Sequence, residues 1–161
     1  MVRSVFSDGK GLVQKAGAGT VISNHSVLSV NAAKNLTADD CGFVNLGVVG
    51  TQQPNSGGFN VNLPAPAKGL YFKFMLAAPS IASNANAAIT IKSTSDGTTA
   101  ANLMVGQVNT DGAPTNVVAA VDVITFVHNV AKAGDQAECY SDGTNWFVTI
   151  HADADGAVTL A

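Results

Sequence analysis

The sequence predicts an all-β protein, a jelly-roll-like β-sandwich or barrel of about nine to eleven short strands. Two observations favour this class. Short segments with apolar residues at every second position recur from Thr20 onward, and turn clusters separate them every ~8–12 residues. No segment shows the apolar period of a helix of ordinary length. We expect residues 20–161 to form a single domain and residues 1–19 to form an extended N-terminal arm.

The segment from Ala133 to His151 predicts a β-hairpin on which the other strands pack. Asp142-Gly143 is a strong signal for a two-residue type I′ turn, because both residue types tolerate positive φ. Trp146 then begins a strand in which side chains alternate between two faces. The single tryptophan is therefore expected to close one end of the core.

The other strands are predicted in order along the chain. Thr20–Ser23 and Ser26–Val30 come first, followed by a turn or single helical turn at residues 35–40 that Thr37 can cap. Residues 117–121 fit either a short helix or a strand. Further strands are predicted at residues 43–48, 59–63, 70–78, 88–93, 103–108, 123–128 and 158–160.

The strand at residues 70–78 is the most apolar one. Phe72 and Phe74 share one face, which we assign to the core, while Tyr71 and Met75 share the other. Since aromatic residues occur on both faces, the strand is expected to be central in its sheet or to meet a partner with one face.

The composition limits the classes of partner. Charged residues make up 12% of the chain and the net charge is −3, which favours a protein that packs against neighbours. The eight basic residues are scattered singly, and this argues against nucleic-acid binding, which needs clustered Lys and Arg. No apolar run approaches the ~18 residues of a membrane span, so no membrane partner is expected.

The two cysteines, Cys41 and Cys139, lie far apart in sequence. A disulfide closing that loop would stabilise the fold by about 4–5 kcal/mol in the chain-entropy model. The N-terminus lacks the apolar core of a signal peptide, which indicates folding in a reducing cytoplasm. Two unbridged, semi-buried strand residues are therefore favoured.

No residue pattern indicates an enzyme. His25, His128 and His151 lie in separate segments and form no ligand spacing, so we predict no catalytic residue, metal or cofactor. The motif at Asp153–Gly156 is similar to half of a calcium loop, but it lacks the terminal bidentate glutamate. A solvated turn is the favoured interpretation.

The first 19 residues are rich in glycine and show little periodicity. One interpretation is a frayed terminus, because nothing there offsets the entropy of folding. The other is an arm that becomes ordered by docking on a partner. The residues expected to dock are Val2, Arg3, Val5, Phe6 and Leu12.

Four segments, taken in order, resemble a module of small structural proteins of tailed bacteriophages. The distinctive part is the spacing between a Leu-Pro strand end, a Gly-aromatic strand start and the SDGTNW hairpin, and the match covers residues 36–150. The segments are Leu36–Gly42, Val61–Pro64 with Lys68–Phe72, Ala88–Ile91, and Gly134-Asp135 with Ser141–Trp146.

This resemblance implies a capsid decoration (cement) protein. Such proteins bind the outer surface of the assembled head and clamp the major capsid protein, often as homotrimers. The chain would be made in the bacterial cytoplasm and end on the virion surface. The alternative is a tail-fibre or tail-tip module that binds a host receptor or carbohydrate. That role calls for aromatic or acidic residues on loops, and the predicted loops are small and polar apart from Asp111.

Overall fold

The fold is an all-β sandwich, as the sequence predicts. The computed structural model describes residues 5–7, 11–13, 27–47, 58–77, 88–110, 113–114 and 118–161. Two sheets of eight and five strands enclose one apolar core. The predicted strand Thr20–Ser23 lies outside the described residues. Among those described, no helix is long and apolar enough to cross a bilayer.

The described elements are mostly short strands, several of only two to four residues. They therefore outnumber the strands predicted from the sequence. In chain order they are β1 (Val5–Ser7), β2 (Gly11–Val13), β3 (Leu28–Val30), β4 (Lys34–Asn35), a 3-10 turn (Ala38–Asp40), β5 (Gly42–Leu46), β6 (Asn60–Asn62), β7 (Tyr71–Leu76), β8 (Ile89–Lys92), β9 (Met104–Thr110), β10 (Ala113–Pro114), β11 (Val118–Val121), β12 (Val123–Phe126), β13 (Gln136–Ser141), β14 (Trp146–Ala152) and β15 (Val158–Leu160).

The chain alternates between the two sheets from β3 to β9. Strands β3, β5, β7 and β9 lie in the larger sheet, and β4, β6 and β8 lie in the smaller one. Between two neighbouring strands of one sheet, the chain passes through one strand of the opposite sheet. The neighbouring strands of each sheet therefore run in the same direction. The β3–β5, β5–β7, β4–β6 and β6–β8 pairs are accordingly parallel.

The β13–β14 hairpin lies in the middle of the larger sheet, between β7 and β9. Strand β13 pairs antiparallel with β7, and β14 pairs parallel with β9. The predicted hairpin is thus confirmed, and its strands are central in the larger sheet. In the smaller sheet, β12 pairs antiparallel with β8 on one side and with β15 on the other, and β15 is the edge strand.

The core lies between the two sheets and contains the predicted residues. Phe72, Phe74 and Trp146 are fully buried. The indole ring of Trp146 contacts the ring of Phe72, with centroids 5.8 Å apart. Isoleucines of β8 and Phe126 of β12 complete the core from the smaller sheet. Alternation of inward and outward side chains along each strand therefore identified the core correctly.

The tip of the hairpin differs from the predicted turn by one position. The N–H of Asp142 donates to the carbonyl oxygen of Asn145 at 3.3 Å, so Gly143 and Thr144 form the tip. Gly143 has φ 102°, and glycine at the first tip position is the preference of a type II′ turn. The Asp142 carboxylate accepts the N–H groups of Thr144 and Asn145, which satisfies the exposed turn amides.

Two local alternatives are resolved by the backbone. Residues 118–121 form a strand, and Ala120, with φ 58°, makes a bulge in its pairing with β9. The predicted helical turn is the 3-10 turn, and Thr37 is its N-cap residue, as predicted. The Asp40 carboxylate accepts the N–H and hydroxyl of Thr37, which is the reciprocal half of a capping box.

The two cysteines are free thiols. Cys139 is fully buried, and burial raises the pKa of its thiol far above the ordinary value. Cys41 is partly exposed, and its thiol donates to the carbonyl oxygen of Tyr71 at 2.9 Å. We expect Cys41 alone to react with a maleimide in the folded protein, and Cys139 to react only after unfolding. A mass spectrum of native protein with two labels, or a Cys41→Ser variant that still labels, would contradict this assignment.

The N-terminal arm contains a small hairpin that the sequence did not predict. Strands β1 and β2 pair antiparallel, with Phe6 opposite Leu12 and Val5 opposite Val13. Among the described strands they pair only with each other, and they form a separate two-stranded sheet. Val2 and Arg3, two of the predicted docking residues, lie outside the described residues.

Candidate functional site

Three aromatic side chains form a row across the outer face of the larger sheet. Tyr140 of β13 lies directly opposite Tyr71 of β7 on one side and Phe147 of β14 on the other. Tyr71 is 37% exposed, Tyr140 is 50% exposed and Phe147 is 46% exposed. We call these three residues the aromatic row. Since adjacent strands lie ~4.8 Å apart, the row spans about 10 Å.

The aromatic row is unusual for this protein. Among the described residues only one other large apolar side chain, Val27, is comparably exposed. Each row member follows or precedes a buried core residue on its strand, for example Phe147 beside Trp146. The alternation of the strands therefore turns these rings outward, and a clustered exposed apolar surface is typical of a binding site.

A polar row lies beside the aromatic row, two residues further along each strand. It consists of Lys73, Glu138, Thr149 and Gln107, which are paired across β7, β13, β14 and β9. The Lys73 ammonium donates to the Glu138 carboxylate at 2.7 Å. This hydrogen bond raises the pKa of Lys73 and lowers the pKa of Glu138, so both groups are charged at neutral pH.

The polar row also acts on the neighbouring aromatic row. Partial burial, and then the negative charge of Glu138, raises the pKa of the Tyr71 phenol. The phenol consequently remains protonated at neutral pH, and its hydroxyl is hydrogen-bonded to the Glu138 carboxylate. The aromatic row is therefore joined to the polar row and offers exposed ring surface.

A third row and a cleft complete this surface. Gln136, His151 and Asn109 lie side by side on β13, β14 and β9. His151 and Asn109 also line a cleft of about 590 Å³ at the end of these strands, together with Lys132 and Asp153. The cleft is thus continuous with the sheet face. We call the three rows and the cleft together the outer face.

The wall of the cleft is fixed by Asp135, which is only 3% exposed. Its two carboxylate oxygens accept the backbone N–H groups of Lys132 and Asp153, each at 2.9 Å. The Lys132 ammonium in turn donates to the Asp153 carboxylate at 2.8 Å. These bonds hold the β12–β13 and β14–β15 connections against each other. The segment that is similar to half of a calcium loop is therefore a hydrogen-bonded turn.

The predicted residues divide between the core, the hairpin tip and the arm. Phe72, Phe74 and Trp146 lie directly beneath the outer face. Gly143 is one of the two tip residues of the hairpin, and Asp142 precedes the tip. Val5, Phe6 and Leu12 lie in the separate β1–β2 hairpin. None of them belongs to the outer face.

Sequence reasoning found only the β7 part of the outer face, because it noted aromatic residues on both faces of that strand but looked for other binding aromatic residues on loops. The signal in the sequence was that aromatic residues occupy successive positions, and therefore both faces, of two predicted strands. These are Tyr71 next to Phe72 and Phe147 next to Trp146. Only the strand pairing shows that these residues share one row. Within the described part of the chain, no three acidic, histidine or cysteine side chains converge to hold a metal ion.

Comparisons with known proteins add no relative. The sequence matches no protein-family model. Neither the curated proteins nor the solved structures give a significant match to this chain.

Proposed function

We propose that this chain is a structural protein of a tailed-phage virion, in which it decorates the outer surface of the head. The proposal rests on the resemblance of residues 36–150 to phage structural modules. The all-β sandwich and the low content of charged residues support it. In this role the chain performs no chemistry, and its activity is binding to the major capsid protein.

The observation that carries the proposal is the separate β1–β2 hairpin. Its two strands have three residues each and pair with neither sheet among the described strands. A two-stranded hairpin is marginally stable alone in water. Its sequence includes Val5, Phe6 and Leu12, three of the residues predicted to dock. The hairpin is therefore suited to dock on a capsid subunit.

Weak contacts between the arm and a capsid subunit are sufficient for decoration when they are repeated over the shell. A contact of about 8 kcal/mol corresponds to micromolar affinity. On a shell the same contact recurs at every lattice site. A homotrimer whose arms reach neighbouring subunits gains further avidity from effective concentration. Modest binding per arm therefore suffices to clamp adjacent capsid proteins.

The second candidate is a tail-fibre or tail-tip module that recognises the host. The aromatic row favours it, because it supplies the exposed aromatic surface that the loops lack. The two candidates differ in the position of the chain on the virion, and both use the same fold.

Removal of residues 1–19 tests the decoration role. We expect the truncated chain to lose binding to purified heads that lack the protein, while its thermal unfolding stays unchanged. A full-length Phe6→Ser/Leu12→Ser variant is expected to lose binding as well, because it removes two of the predicted apolar docking residues. Since this variant keeps the chain length, it separates the effect of these side chains from the effect of the deletion. Sedimentation with heads measures the occupancy. Full occupancy by both variants would contradict the proposed arm.

A further inference from the structure

We propose that the outer face of the larger sheet is a binding site for a neutral oligosaccharide. The ligand lies along β13 and β14, with one end stacked on the aromatic row and the other end in the cleft. This inference rests on the geometry of the described residues. It does not depend on whether the chain belongs to the head or to the tail of a virion.

The aromatic row supplies the stacking surface. Tyr71, Tyr140 and Phe147 are each between one third and one half exposed, so their rings are accessible while their bases are held by the sheet. Aromatic rings carry a negative face, which attracts the weakly positive C–H groups on the flat side of a pyranose ring. A sugar ring is therefore matched to this row in both shape and charge.

The polar row and the third row supply the hydrogen bonds that hydroxyl groups need. Glu138 offers carboxylate oxygens, whereas Gln136 and Asn109 each offer both a donor and an acceptor. A few placed polar groups beside an aromatic surface are the usual composition of a small-ligand site. Planar amide and carboxylate groups suit the vicinal hydroxyl pairs of a sugar.

The charges of the outer face disfavour anionic ligands. Its two lysines are already neutralised, Lys73 by Glu138 at 2.7 Å and Lys132 by Asp153 at 2.8 Å. A nucleic acid, a phospholipid headgroup or a sulfated glycan would need cations that are free to pair with it. The surface is complementary to an uncharged, polyhydroxylated ligand.

The dimensions fit a short oligosaccharide. The aromatic row and the third row are four residues apart on each strand, which is about 13 Å at ~3.3 Å per residue. The cleft of about 590 Å³ extends the surface beyond the third row. Several linked sugar rings occupy this length, and a single monosaccharide contacts only one end.

A second copy of this chain is a poorer occupant. The Lys73–Glu138 ion pair lies in the centre of the outer face, and a protein interface would bury it without new partners. Burial of such a pair costs free energy that packed apolar residues would not. A sugar leaves the pair hydrated at its edges and bonds to it directly.

Binding to neutral oligosaccharides tests the inference on the full-length protein. Maltohexaose, cellohexaose, laminarihexaose and chitohexaose serve as probes in isothermal titration calorimetry, with heparin and polysialic acid as anionic probes. We expect at least one neutral probe to bind in the micromolar to millimolar range and its monosaccharide to bind far more weakly. We expect no binding of the anionic probes.

Substitutions at the aromatic row assign the binding to this face. Tyr140→Ala and Phe147→Ala are each expected to weaken binding by about tenfold, because each removes one stacking contact. Tyr140→Phe keeps the ring and should retain most of the affinity. Thr159→Ala, on an exposed position of β15 in the smaller sheet, is the control and should bind normally. Both rings are about half exposed, so these variants should fold, which thermal unfolding checks.

Three results would overturn the inference. The first is a lack of binding by all four neutral probes at millimolar concentration. The second is neutral-glycan binding that Tyr140→Ala and Phe147→Ala leave unchanged. The third is self-association in sedimentation equilibrium that either substitution abolishes, since a second copy would then cover the aromatic row.

Discussion

Replacement of Trp146 by alanine is expected to lower the free energy of unfolding by about 3–5 kcal/mol. The indole is fully buried and contacts the ring of Phe72. It also lies at the start of β14, where that strand pairs with both β13 and β9. The truncated side chain leaves a cavity at the junction of three strands. Urea unfolding followed by circular dichroism measures the loss.

Two variants on the same strand make the Trp146 result specific. Phe147→Ala removes an adjacent aromatic ring that faces solvent, and we expect a change of about 1 kcal/mol or less. Trp146→Phe should cost less than Trp146→Ala, because the indole N–H has no acceptor among the described residues and only volume is lost. Equal melting temperatures for the wild-type and Trp146→Ala proteins would show that the indole does not belong to the core.

Gly106→Ala is expected to destabilise the fold by about 3 kcal/mol or more. Gly106 of β9 lies opposite Val148 of β14. An added Cβ would lie 2.7 Å from the Cβ of Val148 and still closer to its carbonyl oxygen. The contact involves backbone atoms, so a rotamer change cannot relieve it. The two central strands would have to separate.

The sign of the Gly106 result is diagnostic. In an open strand, alanine is favoured over glycine by roughly 0.5–1 kcal/mol. Stabilisation by Gly106→Ala would therefore contradict the close β9–β14 pairing. Gln107→Ala is the control, since Gln107 is the next residue of β9 and is exposed. We expect its unfolding free energy to change by no more than about 0.5 kcal/mol.

The sequence was sufficient to predict the fold class and much of the core. Alternation in β7 and β14 placed Phe72, Phe74 and Trp146 inside, and all three are fully buried. The alternation predicts the core because one face of each strand must lie against it. Every second side chain along such a strand is therefore buried.

The strand pairing was not predictable in the same way. The alternation of the chain between sheets produces parallel pairs such as β5 with β7, although the two strands are separated by β6. No local pattern distinguishes a parallel neighbour from an antiparallel one when both have one buried face. The tip of the hairpin was displaced by one residue for a related reason. Asp142-Gly143 and Gly143-Thr144 both fit a tight turn, and pairing of the flanking strands chooses between them.

The outer face depends on that pairing, so the sequence indicated only the part of it that lies on β7. Five described strands, β8 to β12, separate Tyr71 of β7 from Tyr140 of β13 along the chain. Only the β7–β13 register brings the two residues together. The residues that the sequence singled out for docking lie in the arm instead. Their docking role is a prediction from the sequence of the arm, which the resemblance does not cover.

Immunogold labelling of intact virions tests the central claim of a decoration role most directly. Antibodies against the purified chain are applied to virions of the phage that encodes it, with virions lacking the gene as the control. The proposed function predicts label distributed over the head. Label confined to the tail would contradict decoration and assign the fold to host recognition, and the absence of label from the whole particle would contradict a place on the virion surface.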